Sequence, residues 1–259
     1  MKRRITWIFI GFISLITLNA SAQKGVFEAG LSIGYGFPTA EGTLITISGT
    51  TEEALFYSYG AGINAAATGT YFFSDNIGAG LDFNYLFGSP INSSQANANG
   101  NNGPVIDNFV NTGSLFSITP CLVLSLNHEK INPYGRFGIV LGSASIVQTT
   151  TQEGSNAFTG SDIETITGDL SVGFYGAFGL QFALSDKISL DAELFDRTLS
   201  FVPTQAVDTK TFDGQQKSPT ITFVKNIDAT TAPNTTLTNS LAFSSVGIKI
   251  GITVKLGGK

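Results

Sequence analysis

The fold is decided by the stretch Tyr71-Phe72-Phe73-Ser74-Asp75-Asn76-Ile77-Gly78-Ala79-Gly80-Leu81-Asp82-Phe83-Asn84-Tyr85-Leu86-Phe87. Its tight polar turn, Ser74-Asp75-Asn76, separates two alternating runs. After the turn, apolar side chains share one face: Ile77, Ala79, Leu81, Phe83, Tyr85 and Phe87. The other face carries glycine, Asp82 and Asn84, with Leu86 as an apolar exception. A period of two predicts a β-strand with one apolar face, because successive side chains of a strand point to opposite faces.

The same pattern recurs along the chain and predicts eight strands. They are Val26–Phe37, Ser58–Phe73, Ile77–Gly88, Leu115–Leu126, Tyr134–Gly142, Asp169–Leu184, Ile188–Leu199 and Leu241–Leu256. Pro120 lies inside the fourth strand and removes a ladder donor, so a bulge or local break is expected there.

Short and long connections alternate strictly between these strands. The short ones are 74–76, 127–133 and 185–187, and the long polar ones are 38–57, 89–114, 143–168 and 201–240. The segment 89–114 is crowded with Asn, Ser and Gly, which predicts a long mobile loop. This alternation is the organisation of an outer-membrane barrel, with tight turns in the periplasm and long loops outside.

Residues 1–22 have the pattern of a cleaved secretory signal. Lys2, Arg3 and Arg4 precede an apolar run, and Ala20-Ser21-Ala22 forms a cleavage site of small residues. The remaining domain is then 23–259, and loss of the three basic residues takes the formal charge of −5 to −8. An acidic chain argues against a nucleic-acid partner.

The composition of the chain limits the classes of protein to which it can belong. Charged residues make up 13% of the chain, about half the globular norm of roughly 25%. Cys121 is the only cysteine, so an intramolecular disulfide is excluded. After residue 22, no run of 18 or more apolar residues offers a membrane helix, which leaves a soluble exported protein or a membrane β-barrel.

Two architectures fit eight alternating strands. A soluble barrel or sandwich points its apolar face inward, whereas a membrane barrel points it outward around a small or polar interior. The polar face here is rich in glycine with a few charges, which favours the membrane barrel. Aromatic residues near the strand ends predict interfacial girdles. These are Tyr35, Phe37, Tyr57 and Tyr59 towards the long loops, and Tyr71, Phe73, Tyr134 and Phe182 towards the short turns.

Three segments carry a family resemblance. They are the hairpins Phe73-Ser74-Asp75-Asn76-Ile77-Gly78-Ala79-Gly80-Leu81 and Leu184-Ser185-Asp186-Lys187-Ile188-Ser189-Leu190-Asp191, and the segment Asn132-Pro133-Tyr134-Gly135-Arg136-Phe137-Gly138. All three resemble the OmpA/OmpX-type outer-membrane β-barrel domain. The resemblance covers the whole mature chain. The chain resembles in particular the short members of this family from Bacteroidetes-type bacteria, which have no peptidoglycan-binding domain. The resemblance implies an all-β fold, an eight-stranded antiparallel up-and-down transmembrane barrel, in a Gram-negative outer membrane. Such barrels often end on an aromatic residue that serves assembly, whereas this chain ends Leu256-Gly257-Gly258-Lys259.

The charges of the inward face form the sharpest candidate site. They are Glu28, Asp82, Arg136, Asp191, Glu193, Arg197 and Lys249. Unpaired charges are costly in a low-dielectric lumen. We therefore predict a salt-bridge plug in which Lys249 meets an acid of the first or seventh strand. A filled structural lumen and a gate for small ions both remain open.

Other chemistry is weakly supported. The only histidine, His128, falls in a short turn on the predicted periplasmic side, away from a nucleophile. The loop carboxylates Glu52 and Glu53, and Glu153, Asp162 and Glu164, match no calcium loop. No catalytic, metal or cofactor site is therefore expected.

The sequence predicts a monomeric outer-membrane protein with a structural or surface-interaction role through its four long loops. Expected partners are outer-membrane lipid and lipopolysaccharide, with a possible extracellular ligand on loops 38–57, 89–114, 143–168 and 201–240. A small porin-like channel is the alternative, and a lipid-modifying enzyme is a third, disfavoured by the single histidine.

Overall fold

The computed structural model describes residues 25–39, 42–48, 51–98, 104–128, 130–154, 157–217, 219–227 and 234–256. The predicted signal, residues 1–22, and the C-terminal residues 257–259 lie outside this part of the chain. Every regular element in the described residues is a β-strand. None of these residues belongs to a helix long and apolar enough to cross a membrane.

Sixteen strands occur in the described residues. In chain order they are β1 (Phe27–Pro38), β2 (Gly42–Ser48), β3 (Thr51–Tyr57), β4 (Gly62–Phe72), β5 (Ile77–Gly88), β6 (Ile91–Ala98), β7 (Pro104–Ser125), β8 (Ile131–Glu153), β9 (Asp162–Gly168), β10 (Ser171–Ala183), β11 (Ile188–Phe201), β12 (Pro203–Lys210), β13 (Ile221–Val224), β14 (Thr235–Leu237), β15 (Leu241–Ala242) and β16 (Ser245–Leu256).

Eight of these strands close into an antiparallel barrel. Their order is β1-β4-β5-β7-β8-β10-β11-β16, and β16 pairs with β1 to complete the ring. The predicted fold class, an eight-stranded up-and-down barrel, is thus confirmed. One end carries the short connections and is called the turn end, and the other is called the loop end.

The strand register fixes the tilt of the barrel. Paired residues followed once around the ring, starting at Phe37, return to β1 at Phe27, a stagger of ten residues. With about 3.3 Å per residue and about 4.8 Å between strands, this stagger tilts the strands by about 40°. Ten tilted residues then span about 25 Å, the height of the apolar band of a membrane barrel.

The apolar faces point outward, as predicted for a membrane barrel. Leu31 is 70% exposed and Phe174 is 71% exposed, and each belongs to an outward row of its strand. The inward rows contain the buried charges and small residues. A soluble barrel with an apolar interior is therefore excluded, because its strands would show the opposite assignment of faces.

The turn end agrees with the predicted hairpins. In the first turn the Ser74 amide donates a hydrogen bond to the Ile77 carbonyl at 3.1 Å, and in the third the Leu184 amide donates to the Ile188 carbonyl at 2.8 Å. The second turn is shorter than predicted, because β8 begins at Ile131, where Phe182 pairs with it.

The loop end differs from the prediction of four long polar loops, of which 89–114 was expected to be mobile. The segment 38–57 contains the β2–β3 hairpin, and 89–114 contains β6 and half of β7. The segment 143–168 contains the end of β8 and β9, and 201–240 contains β12, β13 and β14. The β7–β8 ladder keeps one register from Ser125–Tyr134 to Ile106–Glu153. Backbone hydrogen bonds to neighbouring strands order these polar segments, and composition alone does not report them.

Above the barrel the same sheet continues, and β7 and β8 form its centre there. β6 pairs with the upper part of β7, β9 pairs with the upper part of β8, and β12 and β13 extend the sheet outward. We call the strands β6, β7, β8, β9 and β12 above the barrel the upper sheet.

Pro120 coincides with a local break in the ladder, one of the two expected outcomes, and it produces no bulge. β7 pairs with β5 without a break at Leu81–Pro120, and its register with β8 is the same on both sides, at Ile118–Leu141 and Cys121–Gly138. Only the pairs of residues 119 and 120 with β8 are missing. The missing donor therefore costs a local ladder bond and leaves the strand geometry unchanged.

Candidate functional site

The lumen contains a central layer of four charged side chains. Lys249 lies at its centre, with its Nζ 3.7 Å from Glu193 Oε1 and 3.8 Å from Asp82 Oδ2. Arg136 Nε is 3.6 Å from the other oxygen of Glu193. Two cations thus face two carboxylates, and the layer is neutral as a whole.

Two tyrosines complete the coordination of Glu193. Tyr175 donates its hydroxyl proton to Glu193 Oε1 at 2.6 Å, and Tyr134 donates to Oε2 at 3.1 Å. Lys249 in turn donates to the Tyr175 hydroxyl at 2.9 Å. The four strands β8, β10, β11 and β16 are linked side chain to side chain through one carboxylate.

Aromatic faces further stabilise the buried cations. The Lys249 ammonium lies 4.8 Å from the ring centre of Tyr175 and 4.9 Å from that of Phe195. The Arg136 guanidinium lies 5.1 Å from the ring centre of Tyr134. Cation–π contacts of this kind contribute more where water is excluded, so the aromatic residues here help to hold charge inside the barrel.

An upper layer lies nearer the loop end. Arg197 follows Glu193 along β11 by four residues, and it donates to Asn64 Oδ1 at 3.1 Å and to Ser245 Oγ at 3.2 Å. Asn84 also donates to Asn64 Oδ1, at 3.1 Å. Among the described residues, no carboxylate lies within ion-pair distance of Arg197. This layer binds its charge through neutral amide and hydroxyl oxygens.

A lower layer lies nearer the turn end and is acidic. Gln181 donates to Glu28 Oε2 at 3.5 Å, and Asn132 donates to Gln181 Oε1 at 3.2 Å. Asp191 accepts a short hydrogen bond from Thr253. Neither carboxylate has an ion pair within the described residues.

An apolar cap closes the lumen above the upper layer. Its largest members, buried to 2% exposure or less, are Leu86, Leu115, Leu199, Phe201 and Phe243. Tyr59 stacks on Phe243 with 5.5 Å between ring centres. The cap lies where the barrel meets the upper sheet, so it separates the charged layers from the loop-end surface.

Two very small cavities lie inside the barrel beside the charged layers. A cavity of about 20 Å³ lies beside Arg136, Asp191 and Lys249, and another of about 10 Å³ lies beside Asn64 and Arg197. A water molecule needs roughly 10–15 Å³ by this measure, so each cavity has room for one water at most. Side chains therefore fill the lumen around the central and upper layers.

The structure brings four of the seven predicted lumen charges into direct ion pairs: Asp82, Arg136, Glu193 and Lys249. Glu28, Asp191 and Arg197 also lie buried in the lumen, and their direct partners are neutral. The acid nearest to Lys249 belongs to the predicted seventh strand.

Two aromatic residues that were predicted for the girdles lie on the inner face instead. Tyr134 was expected in the lower girdle and Tyr59 in the upper one, but they are 7% and 6% exposed and lie in the lumen and in the cap. Tyr175 and Asn64 were not singled out at all. Strict alternation was the available signal for Tyr175, because it shares the inward row of β10 with Gln181.

The upper sheet contains a small group of acids. Glu164 of β9 is directly opposite Asp208 of β12, and Asp162 is two residues away. Burial and then the charge of Asp208 raise the pKa values of Glu164 and Asp162. The described residues contain no group of three or more His, Cys, Asp and Glu side chains arranged to hold a metal ion.

His128 is exposed and lies in the turn between β7 and β8, at the opposite end from the upper sheet. Its position is the one predicted from the sequence.

Comparison with known proteins places the chain among barrels. A family model described as "Outer membrane protein beta-barrel domain" matches residues 9–214. No curated protein matches the chain by sequence.

Three solved structures illustrate the similarity. OprG, an outer membrane protein of Pseudomonas aeruginosa, is 14% identical, with 92% of this chain and 100% of that chain covered and a TM-score of 0.48. A major outer membrane protein from Thermus thermophilus is 11% identical, with coverage of 89% and 99% and a TM-score of 0.49. Neisserial surface protein A is 11% identical, with coverage of 91% and 99% and a TM-score of 0.45.

Proposed function

This chain belongs to the outer membrane protein β-barrel domain family, and on that premise we propose that it is a non-conducting barrel that displays a rigid β-sheet for interactions at the cell surface. Its location is the outer membrane. Export through the signal at residues 1–22, action as a monomer and contact with lipopolysaccharide are parts of the same proposal.

The observation that carries the proposal is the continuation of β7 and β8 beyond the barrel. Their ladder extends to Ile106–Glu153 and is widened by β6, β9 and β12. Backbone order of this extent is costly in conformational entropy. A sheet that projects from the membrane offers a preorganised surface, which reduces the ordering cost of binding a partner.

The filled lumen supports a role outside the barrel. The central layer and the apolar cap leave cavities of about 20 and 10 Å³. An ion would have to separate Lys249 from Glu193 and Asp82 to pass, and breaking buried charge pairs is strongly unfavourable.

A small channel is the second candidate. The Lys249–Asp82 distance of 3.8 Å is long for a charge-assisted hydrogen bond, and Asp82 Oδ2 has no hydrogen-bond partner. A layer with one loosely held acid could rearrange and open a path. Conductance measurements distinguish this candidate from the non-conducting barrel.

The display role is tested with a clipped barrel, in which residues 91–112, 146–167 and 204–238 are each replaced by a short turn. Cells with the full chain, the clipped chain or neither are compared for attachment to immobilised serum proteins, immobilised heparin and bare glass. A heat-modifiability shift on a gel checks that the clipped barrel folds.

We expect the full chain to increase attachment to at least one of the three surfaces, and the clipped chain to lose that increase. Equal attachment by all three strains, with both barrels folded, would contradict the display role.

A further inference from the structure

The upper sheet has an outer face that continues the lipid-facing surface of the barrel. In β7 and β8 every second side chain points outward, and this alternation continues from the barrel into the upper sheet. In the barrel it includes Phe116 and Ile139, both about half exposed. We define the outer face by its central residues. They are Val110 and Thr112 of β7, Val147 and Thr149 of β8, and Thr165 and Thr167 of β9.

The register makes this face a regular array of small β-branched side chains. Thr112 is opposite Val147, which is opposite Thr165, and Val110 is opposite Thr149. These side chains are exposed or partly exposed. Threonine hydroxyls alternate with methyl groups over the array, so hydrogen-bonding and apolar contacts are available side by side.

The charge pattern of the outer face is distinctive. Among the described residues of β7, β8, β9 and β12 on this side, the charged ones are Glu153 of β8 and Lys210 of β12, and Lys210 is opposite Ile163, which pairs with Thr149. The acids Asp162, Glu164 and Asp208 belong to the opposite face of the same strands. A phosphate would be bound by arginine or lysine, and the six residues that define the outer face include neither, although Lys210 borders it on β12.

We propose that the outer face binds the saccharide part of the glycolipid of the outer leaflet that surrounds the barrel. Continuity with the lipid-facing surface fixes the location of the partner, because this face stands directly above the hydrocarbon layer. Neutral sugars match its chemistry, since their hydroxyl groups pair with threonine and their C–H surfaces pack against valine methyl groups.

The dimensions agree with this partner. Ser114 to Ile106 of β7 rises about 20 Å above the barrel at about 3.4 Å per residue and about 40° tilt. The face thus spans a layer of sugars and stays outside the acyl chains. The inference takes the interacting sheet from the proposed function and names one partner for its outer side.

The test compares hydrogen exchange of the full chain in three kinds of vesicle. The first contains glycolipid with its core oligosaccharide, the second contains lipid A without the core, and the third contains phospholipid alone. We expect the β8 and β9 peptides around Thr149 and Thr165 to exchange at least about threefold more slowly in the first than in the other two.

A triple variant, Thr112→Val, Thr149→Val and Thr165→Val, removes hydroxyl groups and keeps the β-branched shape that suits a strand. It should lose the slowing in core-bearing vesicles. Thr150→Val, on the opposite face of β8, is the matched control and should retain it.

Equal exchange in all three vesicles overturns the inference, as does equal slowing by lipid A without the core. Retention of the full effect in the triple variant also overturns it. Loss of attachment in the clipped strain, with no saccharide effect on exchange, leaves the display role standing and removes this inference alone. Unchanged attachment in the clipped strain, together with slower exchange in core-bearing vesicles, removes the display role alone.

Discussion

At the scale of single residues, Glu193 is the centre of the lumen. Its two oxygens receive hydrogen bonds from Tyr175 and Tyr134 and lie 3.7 and 3.6 Å from Lys249 and Arg136. A buried carboxylate needs this number of partners, because each unpaired charge in a low-dielectric interior is costly. The network therefore holds four strands in one register.

Loss of the central ammonium should destabilise the barrel. In Lys249→Met, the carboxylates of Asp82 and Glu193 lose a buried counter-charge, and we expect the free energy of unfolding to fall by about 3–5 kcal/mol. Urea unfolding in lipid vesicles measures this change. Lys187→Met, at an exposed turn position, should change it by less than about 0.5 kcal/mol. Similar losses in the two variants would show that Lys249 is not a structural centre.

The acids of the upper sheet should make its stability depend on pH. Burial and Asp208 raise the pKa of Glu164, so the folded sheet favours the protonated form more than the unfolded chain does. The contribution of protonated Glu164 to the stability of the sheet is complete at pH values below the ordinary pKa of Glu. This contribution is lost as the pH rises through the raised pKa. The sheet is therefore expected to open more often at pH 7 than at pH 4.

Hydrogen exchange of β9 and β12 peptides, corrected for the intrinsic effect of pH, measures this opening. Asp208→Asn removes the neighbouring charge and should reduce the pH dependence. A sheet that becomes less stable on acidification would contradict the expected effect of Glu164.

At the scale of the strand, an inward glycine of β1 and an outward glycine of β10 show why glycine is needed in the lumen. A Cβ on Gly34 would lie 2.2 Å from the Ile248 carbonyl oxygen and 2.7 Å from Lys249 Cγ, whereas a Cβ on Gly176 of β10 has nothing within 4 Å. Both glycines lie in barrel strands, and only one has neighbours where its side chain would be.

We therefore expect Gly34→Ala to impair barrel formation and Gly176→Ala to leave it intact. A Cβ that close to a backbone oxygen forces the β1–β16 pair apart, and the ladder cannot relax without loss of its hydrogen bonds. The folded fraction on a heat-modifiability gel measures the effect. If the two variants fold equally well, the close packing at Gly34 is wrong.

The strand scale also shows what the sequence could and could not predict. Alternation located the inward rows, so Glu193, Lys249 and Asp82 could be assigned to the lumen before any coordinates. It failed for Tyr134, because an aromatic residue near a strand end fits a girdle as well as a lumen. Composition failed for the segment 89–114, because the strand partner that orders a polar segment is remote in sequence.

At the scale of the whole molecule, the barrel and the upper sheet have different surroundings. The barrel contacts lipid on its outside and is filled by its own side chains, which leaves the projecting sheet as the surface open to partners. The apolar cap separates the two parts, with Phe201 and Phe243 fully buried between them.

Planar-bilayer recording of the purified full-length protein tests the central claim, that the lumen is closed and function lies outside it. We predict no steady single-channel steps for the wild type under moderate voltage, because the central layer and the cap block the path. Steady, reproducible conductance steps from the folded wild-type barrel would contradict the closed lumen and support the channel instead.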